Sequence, residues 1–137
     1  MSMFKIFDTA ASGMSAQTLR LNLVASNMAN ADSVSSSIDQ TYRARQPVFR
    51  TILDQANPDG AASGVKMAGV VESQAPLVQE YAPDHPLANA QGYIFRPNVN
   101  MVEEMANMMS ASRTYQSNVE VANAAKQLLI ATIRLGQ

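Results

Sequence analysis

Cysteine is absent from the 137-residue chain, which removes disulfides, thiolate metal sites and cysteine nucleophiles from consideration. Charge is scarce as well. Asp, Glu, Lys and Arg make up 15% of the residues, where soluble domains usually carry about 25%. A net charge of −1 offers no bulk attraction to nucleic acid or to an anionic membrane. Long apolar runs are missing too: LLIATI (128–133) is far shorter than the roughly 18 residues a membrane span needs. The opening MSMFKIFDTAAS places Lys5 and Asp8 where a secretory signal would hold an unbroken apolar stretch. Neither direct membrane insertion nor a cleaved signal peptide is therefore expected. What remains is a chain with a normal 47% apolar content and little charge to oppose self-association.

Residues 3–30 read as one long amphipathic helix. Phe4, Phe7, Ala11, Met14, Leu21, Ala25 and Met28 follow alternating spacings of three and four, interrupted only by Thr18. Leu19, Leu23 and Val24 widen the stripe, and Gly13 is a weak point costing up to about 1 kcal/mol against Ala. A second helix is predicted over 100–135. Asn100 can cap it, with Glu103 closing a capping box; Glu103 and Glu104 suit its positive end and Arg134 its negative end. Met101, Met105, Met108, Ser112, Tyr115, Val119, Ala122, Lys126, Leu129 and Ile133 repeat the same spacing, and Val102, Met109, Val121, Leu128 and Leu135 add further apolar faces.

The middle differs in kind, because all six prolines fall between positions 47 and 97. DSVSSSID (32–39) and QANPDGAASG (55–64) are loop-like, whereas GVKMAGVVES (64–73), APLVQEYA (75–82) and GYIFR (92–96) favour short strands. The expected fold is α+β: two long terminal helices pairing as an antiparallel coiled coil, with a small β-rich, extended middle. The boundaries are 1–30 for the first helix, 31–97 for the middle and 98–137 for the second helix.

Both helices place Asn, Ser, Gln and Thr where surface helices usually carry Glu and Lys. These are mediocre helix formers, and burial against other protein would offset that cost. A neutral amide can be buried once hydrogen-bonded, whereas a lone charge cannot. Assembly is the reading this favours over a monomer whose helices pack only on each other and on the middle. The candidate interface takes Phe4, Phe7, Met14, Leu21, Asn22, Asn27, Met28 and Asn30 from the first helix. From the second it takes Asn100, Met105, Met109, Tyr115, Asn118, Val119, Asn123, Leu128 and Leu129.

Residues that could carry chemistry have simpler explanations. His85 is the sole histidine, and DHP reads as a turn before Pro86. Glu103 and Glu104 are accounted for by the helix start. PDGAASG lacks the Lys-Ser/Thr of a phosphate loop, and the methionines at 101, 105, 108 and 109 suit packing better than a soft-metal site without Cys. Arg113 beside Tyr115 is a negligible nucleic-acid signal. Arg43, Arg45 and Arg50 form the densest positive cluster, readable as a charged strand edge or as a contact to an acidic patch on a neighbour. No catalytic residue, metal ligand, cofactor or small-molecule substrate is expected.

Two stretches bear a family likeness. ASGMSAQTLRLNLVASNMANADS (11–33) resembles the amino-terminal motif of bacterial flagellar axial proteins, the rod and hook class. PNVNMVEEMANMMSASRTYQSNVEVANAAKQLLIATIRLGQ (97–137) is similar to their carboxy-terminal motif. The link PDHPLANAQGYIFRPNVN (83–100) and the short middle are most like the proximal rod members. The resemblance implies a structural subunit of the basal-body proximal rod, polymerising through its terminal helices into a helical tube that crosses the periplasm, transmits torque and surrounds the export channel. Its implied partners are copies of itself, sister proximal rod proteins, the distal rod protein and the flagellar type III export apparatus. A soluble coiled-coil adaptor or chaperone binding a partner helix is the alternative. A small hydrolase would need a pocket of titratable groups around His85 or the Glu103–Glu104 pair.

Overall fold

The computed structural model describes residues 3–53 and 62–135. Helix α1 covers Met3–Asn30, and a 3-10 turn follows at Ile38–Gln40. Strands β1 (Arg45–Leu53), β2 (Ala62–Glu72), β3 (Val78–Tyr81) and β4 (Tyr93–Arg96) precede helix α2, Met101–Leu135. Both helices lie where the three-and-four periodicity puts them. The start of α2 is set by Asn100, whose Oδ1 accepts from the Val102 and Glu103 N–H groups at 3.1 and 3.3 Å. With that oxygen serving both donors, the Glu103 side chain makes no return bond and stays exposed, so only half of the expected capping box forms.

The helices run side by side in opposite directions. Asn118 of α2 lies against Gly13 of α1, Arg20 Nη2 donates to Asn107 Oδ1 at 2.9 Å, and Asn27 Nδ2 donates to Glu104 Oε2 at 3.1 Å. The face α1 turns to its partner is not the apolar stripe read from the sequence. It runs through Ala10, Gly13, Arg20, Val24 and Asn27, one position earlier and so rotated by about 100°. On α2 the matching row is Glu104, Ala111, Asn118 and Ala125, with Ala111 fully buried. Small side chains explain the choice. A Cβ on Gly13 would stand 2.8 Å from Asn118 Nδ2, so the close approach of the helices depends on its absence. Gly13 is a packing position within an unbroken helix.

Strands β1 and β2 form an antiparallel hairpin in which Arg45 pairs with Glu72 and Phe49 with Met67. The segment RQPVFRTIL is not among the β-prone stretches, although a charged strand edge is one of the two readings of Arg43, Arg45 and Arg50. Pro47 interrupts its pattern, and a proline is tolerated there because each strand of a two-stranded ribbon has an open edge. The hairpin lies along α1: the Arg45 N–H donates to Asn27 Oδ1 at 2.9 Å near one end, and the Val65 N–H donates to Ser12 Oγ at 3.1 Å towards the other. Residues 54–61, most of the predicted 55–64 loop, lie outside the described residues.

Strands β3 and β4 pair antiparallel, and Ser35 bridges to Phe95 on the other side of β4. Ile94 and Phe95 are thereby buried and form the core of the middle region. Asn98 fastens this unit to the hairpin: its Oδ1 accepts from the Ala44 N–H at 2.8 Å, and its Nδ2 donates to the Ala75 carbonyl at 2.8 Å. His85 takes the expected turn role, its Nδ1 accepting from the Leu87 N–H at 3.1 Å.

Gly92 closes the β3–β4 connection at φ 80°, in the left-handed region, with the Tyr81 ring close above it. Gly92→Ala should therefore destabilise the protein by about 1–3 kcal/mol. Thermal unfolding of the purified chain checks this, and an unchanged midpoint would refute the strain assignment.

Candidate assembly surface

Asn27 sets how the surface is presented. Its Nδ2 gives one hydrogen to the Arg45 carbonyl at 2.9 Å and the other to Glu104 Oε2 at 3.1 Å. Its Oδ1 accepts from the Arg45 N–H at 2.9 Å and from the Tyr42 hydroxyl at 2.8 Å. Both donors and both acceptor positions of the amide are thus used, and the residue is 1% exposed. Glu104, at 6% exposure, is brought here by the first turn of α2, where the helix dipole favours a carboxylate. One side chain therefore ties α1, the start of β1 and the start of α2 together.

With the small-residue seam turned inward, the larger apolar side chains of both helices remain uncovered. Phe4 is 70% exposed and Leu19 is exposed, while Phe7, Met14, Leu21 and Met28 are half-buried. On α2, Val102 is 75% exposed; Met105, Met109, Tyr115 and Leu128 are exposed, and Val119 and Leu129 are half-buried. Leu135, at the end of the described helix, is 90% exposed. The whole chain shows 9302 Å² of surface at 14.8 kDa, whereas a compact monomer of that mass shows roughly 7,000 Å². An excess of this size is comparable to more than one protein–protein contact.

The polar candidates divide into two groups. Asn22 and Asn123 are exposed and open to a neighbour. Asn27 is spent inside the chain, half-buried Asn30 donates to the Ser26 carbonyl at 2.8 Å, Asn100 caps α2, and Asn118 fills the space over Gly13. Sequence reasoning assigned all of these to inter-subunit contact. Four of the six asparagines therefore also serve contacts within one chain. Tyr42 and Asn98 were missed as structural residues, and Glu104, read as part of the helix start, was missed as the partner of Asn27. The available clue was the seven-residue spacing of Gly13, Arg20 and Asn27 against Glu104, Ala111, Asn118 and Ala125.

The arginine cluster divides in the same manner. Arg43 Nη1 donates to the Ser73 and Ala75 carbonyls at 3.2 and 3.4 Å, and Arg45 pairs with Glu72 at 3.4 Å while its guanidinium lies over the Tyr42 ring. Of the three, only Arg50 makes no hydrogen bond or ion pair with a described residue. An open cleft of about 700 Å³ between Asn30, Ile38–Thr41, Arg43 and Glu72 contains neither His85 nor the Glu103–Glu104 pair, whereas a second, of about 340 Å³, is lined by Glu103 and Glu104 together with Arg20, Arg45, Phe49 and Asn107. Among the described residues, no group of three His, Asp or Glu side chains is placed to hold a metal ion, and no helix is long and apolar enough to cross a membrane.

Uncovered apolar stripes on two long helices held at a fixed angle to a small β unit describe a building block for a larger assembly. Comparison with known proteins specifies which. Residues 7–35 match the family described as "Flagella basal body rod protein", and residues 90–135 match "Flagellar basal body rod FlgEFG protein C-terminal". The flagellar basal-body rod protein FlgC of Escherichia coli O6:H1 is 53% identical over 137 residues, covering 100% of both chains. That of Salmonella typhimurium is 52% identical with the same coverage, and that of Borreliella burgdorferi is 31% identical over 100% of this chain and 99% of its own. The chain belongs to the FlgC family of flagellar basal-body rod proteins, and it is a structural subunit of the basal-body rod.

Asn27→Asp keeps the size but removes both donors and sets a carboxylate against Glu104 and the Arg45 carbonyl. It should cost roughly 2–6 kcal/mol, read by urea unfolding; a loss below about 1 kcal/mol would show that the joint is dispensable. In the same seam, the Gln17 Oε1 atom is buried without a hydrogen-bond partner. Gln17→Leu should leave stability unchanged or raise it by about 1–2 kcal/mol in the same assay.

Proposed function

We propose that the chain polymerises through α1 and α2, which form an antiparallel coiled coil, into the proximal part of the rod. The observation that carries this reading is the apolar area left on the outer faces of both helices, exposed at Phe4, Leu19, Val102, Met105, Met109 and Leu128 and half-covered at Phe7, Met14, Leu21 and Met28. The seven-residue spacing of the seam between the helices suits a coiled coil. Residues 1–30 and 98–137 form the inner layer, and 31–97 an outer one. A heterologous contact repeated about an axis generates a helical tube, and close-packed helices within it would carry torque with little compression. The partners in this reading are copies of the chain, sister proximal rod proteins and the distal rod protein. The rod crosses the periplasm around the export channel, and the subunit reaches it through the flagellar type III export apparatus without a cleaved signal peptide. A soluble adaptor would also present a helical face, but the full-length likeness to rod proteins favours the rod.

Leu21 and Val119 lie half-covered on faces that neighbours would complete. Leu21→Asp or Val119→Asp would bury an unpaired charge on assembly and should abolish incorporation into rods. Cells carrying either variant that still build rods and swim would defeat the proposal. Hydrogen exchange distinguishes the adaptor: protection of 5–28 and 102–133 should rise further when the isolated chain is assembled into the rod. Equal protection in the isolated chain and in the assembled rod would remove the added burial on which the rod reading rests.

A further inference from the structure

The β1–β2 hairpin has one face exposed around its middle, whereas at the Ile52–Gly64 rung that same face lies against Ser12 of α1. Its register sets Val48 opposite Gly69 and Arg50 opposite Lys66, so these four side-chain positions share a face. Phe49 and Met67, paired on the other face, are half-buried, and Phe49 lines a cleft with Arg20, Val24, Glu103, Glu104 and Asn107 of the helices, at whose rim Glu103 is exposed. On the outer face, Val48 is exposed and so are Arg50 and Lys66.

Two features of this face are unfavourable in a lone chain. Arg50 and Lys66 are like charges directly across one rung, an arrangement that destabilises a hairpin, and neither has a hydrogen bond or ion pair with a described residue. Gly69 weakens the strand interior for no internal gain. Its φ is not in the left-handed region, and a Cβ built on it would meet nothing within 4 Å. The register shift beside it therefore does not demand glycine. A bare backbone between an exposed valine and two unpaired cations suits the close approach of another chain that carries a carboxylate.

The chain itself displays the complementary surface. In the first turns of α2, Val102, Met105 and Met109 form an exposed stripe at spacings of three and four, flanked by the exposed and unbonded Glu103. We infer that the outer face of the hairpin docks on this stretch of α2 in a second copy of the chain, with Glu103 of that copy received between Arg50 and Lys66. The two surfaces are different parts of one subunit, so the contact is heterologous and repeats without closing. This deepens the rod reading and rests on it by naming one lateral contact of the subunit.

The test replaces Val48 with a photo-crosslinking amino acid and irradiates isolated basal bodies. The expected adduct has twice the 14.8 kDa chain mass and joins position 48 to the first turns of α2. Gly69→Val should leave the unfolding midpoint of the purified chain unchanged but lower its recovery in basal bodies. Arg50→Glu combined with Lys66→Glu should lower recovery at least about tenfold through like-charge contact with Glu103, and adding Glu103→Lys should restore it. An adduct with a different protein, no adduct, or normal assembly of Gly69→Val would overturn the inference while the wild-type chain remained in the basal body. Absence of the wild-type chain from basal bodies would instead defeat the rod assignment itself.

Discussion

A single buried amide decides how the parts of this subunit meet. Asn27 has two hydrogens and two acceptor positions, and each is taken by a group from a different place: the Arg45 carbonyl, the Arg45 N–H, the Tyr42 hydroxyl and Glu104. A saturated amide in a water-poor site has one acceptable orientation, because any rotation leaves several buried groups unpaired. The angle between the hairpin and the helical pair follows from that orientation. Apolar packing could not set it alone, since Ile94 and Asn27 are the largest side chains that are fully buried among the described residues.

The seam between α1 and α2 shows the same economy. Two long helices could have joined through their Phe, Met and Leu side chains. They join instead through Ala10, Gly13, Val24, Ala111 and Ala125, with Asn118 packed over Gly13 and with Arg20 bonded to Asn107 and Asn27 to Glu104 along the line. Close approach through small residues yields little hydrophobic stabilisation per turn, because little apolar area is removed from water. It also keeps Val102, Met105, Met109 and Leu128 available. For a structural rod subunit this is a sensible division: the chain holds its shape with polar geometry and keeps its apolar area for neighbours.

Several features were legible in the order of residues. The three-and-four spacing located both helices, Asn100 marked the start of α2, and the β-prone stretches at 64–73, 75–82 and 92–96 mark strands β2, β3 and β4. Strand β1 escaped because Pro47 breaks the pattern and because its pairing with β2 is a long-range contact. The faces of α1 were read about 100° from the seam that forms. Periodicity weighs side chains by hydrophobicity, and Gly13 and Ala10 count for little on that scale although they permit the closest approach. The scarcity of charge was read as one signal with one cause. It has two: residues such as Asn22 remain outward, whereas Asn27, Asn98 and Asn118 are joints within the chain.

Residue order by itself determined that two sparsely charged amphipathic helices flank a short β-rich middle and that cysteine chemistry is excluded, conclusions that depend on composition and local periodicity, which a chain carries before it folds. The flagellar rod family was legible through the likeness of 11–33 and 97–137 to its terminal motifs. Only the tertiary structure decided which helical faces meet, which asparagines are satisfied internally, and that Arg43 and Arg45 find partners within the chain while Arg50 does not. Those outcomes turn on which groups distant in the chain arrive within about 3 Å of one another, the range over which a hydrogen bond forms.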